Sequence, residues 1–304
     1  MKLVKKLIAL AVFAVVLLVV GVAVAIYFIN DIVKAGVEKG GTFALGAKTT
    51  LASADIGVLS GSLALNGLEI ENPGGFKGDR FFTMGNASAQ VSIPTLRKDV
   101  VEIPAFSLTT LRVSLEKSGD KKNYQVILDN IQKVSGSSGE SPKEPAEGSG
   151  KKFVLKDLDI RDVQVTLDLV PEAGEVLKFT VPIDRIHMTD IGSDRPLPLG
   201  ELAGVIVRAI LATAVERGQG IFPGDVLGDL QGKLAALGNL DQLGIKVVSE
   251  IAPEALNKAT QAAQQELGKA AGQVQQQAEK AVQDATKGVD DALKGVKDLI
   301  PGRR

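Results

Sequence analysis

A recurring order of apolar and polar positions runs through residues 63–188 of this chain. It reads apolar, any, apolar, any, any, apolar, any, apolar, and it occurs four times. The apolar positions are Leu63, Leu65, Leu68, Ile70, Val101, Ile103, Phe106, Leu108, Phe153, Leu155, Leu158, Ile160, Val181, Ile183, Ile186 and Met188. Alternation with a period of two is typical of a β-strand with one apolar face. The two adjacent positions in the middle preserve that face only if a bulge or a tight turn takes up the extra residue.

The second and third copies continue in step beyond this core pattern. Their seven matching apolar positions are separated by a constant 52 residues and extend to Leu111, Val113, Leu115 and to Val163, Val165, Leu167. Asn66-Gly67 could also form a two-residue hairpin turn. Residues 109–110 in the second copy and 156–157 in the third occupy corresponding positions but are not typical of such a turn. A bulge within one long strand is therefore favoured over a hairpin. The pattern therefore predicts a repeating, bulged sheet with one apolar face.

The same reading predicts the order of the elements. Strands are expected over residues 52–59, 62–71, 87–93, 101–116, 124–128, 153–169 and 177–188. Pro182 indicates an edge strand, because proline cannot donate to a neighbouring strand. Apolar residues spaced by three and four predict an amphipathic helix over 200–217 that packs on the sheet, and a second helix over 226–237. A short helix is expected through Val33 and Val37.

Residues 135–152 are rich in Ser, Gly, Pro, Glu and Lys, which is typical of a disordered linker. Because the apolar order resumes at Phe153, we interpret this segment as a loop within one sheet. The tail at 251–304 repeats apolar residues every 11 positions, as at Leu256, Leu267, Ala278, Val289 and Ile300. That spacing predicts a long, gently right-handed helix rich in Ala and Gln. It is either an interfacial helix on lipid or on the sheet, or a solvated spacer.

The N-terminus carries a membrane-span signal. Residues 7–29, with Leu7, Leu18 and Ile29 along them, are 23 uncharged positions, enough to cross a hydrocarbon core of about 30 Å. Lys2, Lys5 and Lys6 precede the span, so the positive-inside rule places the N-terminus in the cytoplasm and the bulk of the chain outside. A cleaved signal peptide ending at 23–25 is the alternative.

Composition removes several classes of function. The 35 Lys and Arg nearly balance the 36 Asp and Glu, so no basic field favours nucleic acid. There is no Cys, and His187 is the single His, which excludes thiolate chemistry and multi-His metal sites. His187 is expected to be an ordinary residue on the polar face of its strand. We therefore expect a protein that is not an enzyme, with no catalytic residue, no metal site and no cofactor.

One family resemblance emerges from residues 54–76. The sequence Ala54-Asp55-Ile56-Gly57, followed by Gly61 to Glu71 and then Asn72-Pro73-Gly74-Gly75-Phe76, resembles the opening of AsmA-like proteins of the Gram-negative envelope. The resemblance covers roughly residues 1–200. It implies a curved, repeating β-groove in the periplasm with a role in phospholipid traffic or outer-membrane assembly. The tail is not part of this resemblance.

Taken together, these features predict a mainly β protein with helices. The expected units are a transmembrane anchor (1–30), a first β-repeat unit (31–134), the linker (135–152), a second β-repeat unit (153–199), a helical cap region (200–250) and the helical tail (251–304). The sheet is expected to be curved and antiparallel, shaped as a groove.

The first functional hypothesis is a single-pass inner-membrane protein that handles lipid in an apolar β-groove or supports outer-membrane biogenesis. Its expected partners are the membrane, phospholipid and envelope proteins, and not nucleic acid. The alternative is a non-enzymatic, membrane-tethered scaffold with a closed β core and a partner-binding C-terminal helix. If the helix over 200–217 fills the concavity of the sheet, the scaffold hypothesis is favoured.

Overall fold

A computed structural model describes residues 2–134, 150–171, 175–238, 240 and 245–298. Within these ranges one mixed fold combines a curved, open sheet with five α-helices. The helices are α1 (Lys2–Leu45), α2 (Asn123–Val134), α3 (Leu199–Arg217), α4 (Gly224–Ala236) and α5 (Pro253–Asp298). The strands are β1 (Thr49–Gly57), β2 (Ser62–Glu71), β3 (Arg80–Gln90), β4 (Val100–Ile103), β5 (Ala105–Ser118), β6 (Lys121–Lys122), β7 (Lys152–Val170), β8 (Leu177–Ile191), β9 (Leu197–Pro198) and β10 (Lys246–Glu250).

All described strands belong to one ten-stranded sheet, whose main path is β1-β2-β3-β5-β7-β8-β10. Both repeat halves therefore lie in the same sheet, which confirms the interpretation of one continuous sheet. The linker prediction itself falls largely on residues 135–149, outside the described residues. The expected antiparallel arrangement is confirmed for most strand pairs, but β4 and β5 both pair parallel with β7. Parallel neighbours need a long crossover, and α2 lies in this one.

The 52-residue offset in the sequence is the register of that parallel pair. Phe106 pairs with Leu158, Leu111 with Val163 and Leu115 with Leu167. The β4 residues pair with β7 at the same offset. Paired residues of parallel strands differ by a constant number, whereas those of antiparallel strands have a constant sum. A constant difference of 52 residues between the apolar positions was thus the sequence signal for a parallel pair.

A row of irregular residues, which we call the kink row, crosses six neighbouring strands at one level. It consists of Ala52, Gly67, Gly85, Thr110, Asp162 and Asp184, where each pairing skips a position without shifting register. Gly67, Thr110 and Asp162 adopt positive φ angles of 62°, 59° and 52°. A left-handed residue interrupts the alternation of side chains. The apolar residues on both sides of the row therefore point to the same face.

A second irregularity accounts for the two adjacent middle positions of the pattern in its second and third copies. Between Ile103 and Phe106 the chain passes from β4 to β5, and this junction lies beside residues 156–157 of β7. On the next strand, Asp190 has a φ of 61°. The prediction of one long strand instead of a hairpin is confirmed at Gly67, because β2 runs through it. The predicted bulge was wrong there, because the pairing with β1 and β3 keeps its register and no extra residue is inserted.

The helices of the inner face were predicted in part. The spacing at 200–217 and 226–237 is confirmed by α3 and α4. The strand expected at 124–128 was wrong, because these residues begin α2. Tyr124, Ile127, Leu128 and Ile131 are all buried there, at helical spacing. A window of only five residues was too short to separate the two periods.

The N-terminal helix is longer than the short segment expected near Val33 and Val37. It runs without a break from Lys2 to Leu45, so no flexible lead separates the 7–29 segment from the sheet. Among the described residues, no helix is both long enough and apolar enough to cross a membrane. The span over residues 7–29 remains a prediction from the sequence.

The far edge of the sheet differs from the predicted helical cap region. Residues 246–250 form β10, which pairs with β8 only from Arg185 to Thr189. Pro182 therefore lies where β8 has a strand on one side alone, which confirms the predicted edge position. The first turns of α5 pack beside this part of β8, through Leu256, Ala259 and Ala263.

Thr110→Gly tests the kink row. A β-branched residue at positive φ is strained, and glycine relieves that strain. We expect a gain of about 0.5–1 kcal/mol in the free energy of unfolding, measured by chemical denaturation. Thr109→Gly, one residue away in extended backbone, should destabilise the protein. A loss of stability in Thr110→Gly equal to that in Thr109→Gly would contradict the role of the kink row.

Candidate functional site: the apolar sheet face and its cover

The apolar pattern marks the buried face of the sheet. Twelve of its positions are buried, and the remaining Leu63, Leu68, Phe106 and Phe153 are partly buried and pack against the same core. The kink row brings Leu65 and Leu68, Leu108 and Leu111, and Ile160 and Val163 onto this common face. The structure thus assembles all four copies into one layer.

Helices cover this apolar layer. The helix α3 packs on β7 and β8, and α2 packs on β5. Most of α3 is buried, including Leu202, Val205 and Ile210. At Gly204 a Cβ atom would lie only 2.9 Å from Ile131 Cγ2, so glycine permits the close approach of α2 and α3. The concavity over the middle strands is therefore filled with side chains from helices.

A polar stripe on α1 covers the exposed edge of β1. Asn30 Oδ1 accepts a hydrogen bond from the Ile56 amide at 3.0 Å, and Glu38 Oε1 accepts one from the Leu51 amide at 2.9 Å. Lys34 Nζ donates to the Ala52 carbonyl at 3.2 Å, and Thr42 Oγ1 accepts from the Thr49 amide at 3.0 Å.

The stripe runs antiparallel to β1. Its three steps of four helical residues advance about 18 Å, and its partners run along about 23 Å of strand from Ile56 to Thr49. The stripe of residues 30, 34, 38 and 42 thus matches the free backbone groups of β1, which would otherwise invite strand pairing with another chain. Sequence reasoning missed this contact, although the i, i+4 recurrence of polar residues directly after the apolar segment was a usable signal.

A buried carboxylate holds the Asn-Pro-Gly-Gly-Phe loop. Glu116 is 4% exposed, and its carboxylate accepts hydrogen bonds from the amides of Lys77 at 2.8 Å and Gly78 at 2.9 Å. The side chain of Asn123 donates to Asn72 Oδ1 at 2.9 Å and also accepts from the Glu116 amide. This network satisfies buried polar groups around the loop. The residues that carry the family resemblance therefore have a structural contact here, and no sequence signal pointed to Glu116.

The opposite face of the sheet carries paired charges. Asp159 lies 2.6 Å from both Arg161 and Arg185, and Arg185 also approaches Glu250. Burial acts to raise the pKa of Asp159, but hydrogen bonds from Arg185 and Arg161 outweigh it and lower the pKa. His187 Nε2 lies 2.8 Å from Asp157 Oδ2 on the same face. His187 is thus part of a cross-strand polar pair on the polar face, as expected.

An open cavity of about 790 Å³ lies beside β1, β2 and β3. Most of its lining residues occupy the strand positions that alternate with the core-facing ones. They include Asp55, Ser88, Ser107, Asp157 and Asp159, whereas Ile56, Leu63, Ala89 and Phe106 add apolar walls. The lining is therefore mixed, with carboxylates beside apolar side chains.

The predicted anchor residues are placed only in part. The backbone of α1 includes Lys2, Lys5, Lys6, Leu7 and Leu18, but the side chains of these residues lie outside the description. Ile29 is described and partly buried, next to Asn30 at the start of the polar stripe. In the described part of the chain, no group of three or more His, Asp or Glu side chains is placed to hold a metal ion.

Comparison with known proteins adds no assignment. No family model matches the chain, and no curated protein matches it. The resemblance to AsmA-like proteins therefore rests on the residues quoted above and remains a prediction.

Glu38→Leu tests the edge contact. The substitution leaves the Leu51 amide without its acceptor, which costs about 1–2 kcal/mol in the free energy of unfolding. Hydrogen exchange at the Leu51 amide should accelerate in parallel. Glu38→Gln retains an acceptor oxygen and should lose much less. Equal losses in the two variants would argue against the hydrogen bond.

Asp159→Asn tests the charged cluster through pH. Because the folded-state pKa of Asp159 is lowered, its contribution to stability is present above the unfolded pKa of about 3.9 and is lost as pH falls through the lower folded value. The wild type should lose stability over this acid range. The variant should be less stable at pH 7 and should show a shallower acid decline. Parallel curves for the two proteins would contradict the assignment.

Proposed function

We propose that this chain is a non-enzymatic, membrane-tethered scaffold with a closed β core. The observation that carries the proposal is the cover of the apolar sheet face by α2 and α3. Leu155, Ile160 and Ile183 are at most 1% exposed beneath these helices. A sheet face whose apolar area is already buried has no equivalent area left for acyl chains.

The continuous α1 helix supports a rigid attachment to a bilayer. Residues 7–29 would lie in the membrane, with the N-terminus in the cytoplasm and the sheet in the periplasm. Asn30, immediately after that segment, already bonds to the edge of β1. The folded domain would therefore be held directly at the membrane surface at a set angle.

The tail provides the element for contact with a partner or the envelope. Its first turns pack on the core, whereas Leu267, Val282 and Val289 are half exposed or more. These residues continue one apolar stripe along α5, opposite the lysines at 258, 269 and 280. A long helix with a one-sided, uncovered stripe is suited to pairing with another surface.

The lipid-handling hypothesis requires a conformational change that the scaffold hypothesis does not. As an AsmA-like protein the chain would have to open the layer of α2 and α3 to admit acyl chains. The main path places seven strands side by side, about 34 Å at roughly 4.8 Å each, which is too little to bridge an envelope alone. Support for outer-membrane assembly would then come through partners, as it would for a scaffold.

Lipid analysis of the purified full chain separates these hypotheses. The chain is extracted from membranes in a mild detergent, and bound lipid is quantified by mass spectrometry. We expect less than one lipid per chain after exchange into fresh detergent. The matched variant Leu202→Ala, which thins the cover on α3, controls for access. Stoichiometric phospholipid in the well-folded wild type would overturn the closed-core proposal, and recovery of the chain in the soluble fraction would overturn the tether.

A further inference from the structure

A buried arginine, with no carboxylate partner among the described residues, lies at a second cavity. Arg208, on α3, is 5% exposed, and no ion pair of this residue occurs within the described ranges. Its guanidinium donates one hydrogen bond, to the carbonyl of Gly238. Burial without a counter-charge lowers the pKa of Arg208. An arginine has five N–H donors, and no Arg208 nitrogen is among the buried atoms without a partner, so its remaining donors are accessible from the cavity that Arg208 lines.

Such an arrangement is costly unless an anion completes it. Buried charges in proteins are almost always paired, because a single charge loses its hydration without compensation. An apolar side chain at position 208 would avoid this cost. A buried guanidinium that lines a cavity and has no ion pair among the described residues is therefore suited to bind an anion.

The cavity in front of Arg208 has the size and the walls of a ligand site. It measures about 650 Å³, within the range of about 300–1,000 Å³ typical of small-molecule sites. It lies between α3 and α4, and its apolar walls are Val215, Leu234 and Leu240. Gln219 and Gln231 add polar groups.

The positive charge of Arg208 lies at one end of this cavity, and the negative charge of Glu216 lies near the other. Glu216 lies on the same helix eight residues after Arg208, about 12 Å along the axis, and its side chain is 65% exposed. An anion near Glu216 would be repelled, whereas one at Arg208 would be attracted. The cavity is thus polarised, with a buried cation at one end, apolar walls along it and a solvated carboxylate near the other end.

We propose that the cavity between α3 and α4 binds an organic carboxylate that carries an apolar chain. The carboxylate lies against the Arg208 guanidinium, whose planar fork matches its two oxygens. The chain lies along Val215, Leu234 and Leu240. This site does not depend on the proposed scaffold function, because it lies away from the apolar sheet face.

Octanoate is the probe for this site. Calorimetric titration uses the full chain in lipid nanodiscs, with empty nanodiscs subtracted. We expect saturable binding of one octanoate per chain. Octanol, which has the chain without the charge, and inorganic phosphate, which has the charge without the chain, should each bind at least about tenfold more weakly. No saturable octanoate signal, or phosphate binding as tight as octanoate, would overturn the proposal.

Two variants separate binding from folding. Arg208→Met should weaken octanoate at least about tenfold, and it should raise the melting temperature of the ligand-free protein because an unpaired buried charge is removed. Leu234→Trp keeps the guanidinium but fills the cavity, and it should also abolish binding. Arg80→Met is the control, since Arg80 bonds to Glu69 on β2, away from the cavity, and its loss should leave octanoate affinity unchanged. A lower melting temperature of ligand-free Arg208→Met, or unchanged octanoate binding in either cavity variant, would assign Arg208 a structural role instead.

Discussion

The kink row is the constraint on which the rest of the structure depends. In an unbroken strand, side chains alternate between faces, so Leu65 and Leu68 would point in opposite directions. A left-handed residue at Gly67, Thr110 or Asp162 restores the phase in its strand. Because the neighbouring strands are irregular at the same level, the whole sheet keeps one apolar face on both sides of the kink row. Without this coordination, the helices would have no continuous layer to cover.

The two edges of the sheet are protected by long helices in different ways. At β1, the side chains of α1 replace a neighbouring strand and bond directly to the backbone. At β8, the partial strand β10 and then the first turns of α5 cover the edge. Both solutions block the pairing with other chains that an open sheet otherwise invites. They also join each terminal helix to the core, so that any contact made by α1 or α5 is transmitted to the sheet.

The division of the sheet into two faces decides which functions the fold can support. The inner face is a closed core, and the outer face carries ion pairs and small polar side chains around a shallow cavity. Neither resembles an apolar groove open along its length. The buried guanidinium of Arg208 lies outside both faces, between α3 and α4. A binding role for this protein is therefore best sought among its helices rather than on its sheet.

The sequence by itself determined which residues share the apolar face, because the period of two and its regular interruption are local properties of the chain. It also contained the register of the central pair, as the constant offset of 52 residues between β5 and β7. The helix at 199–217 followed from the three-and-four spacing of its apolar residues. For α2, the helical spacing of Tyr124, Ile127 and Ile131 is visible only in a segment longer than five residues.

Only the tertiary structure decided what covers the apolar face, because a side chain buried by a helix and one buried by a lipid give the same pattern. It also decided the partners of polar residues. Glu38, Glu116 and Arg208 are ordinary charged residues in the sequence, yet one completes a strand edge, one holds a loop and one is buried beside a cavity. Contacts between groups 13, 38 or 30 positions apart arise from the packing of distant segments, and no local pattern encodes them.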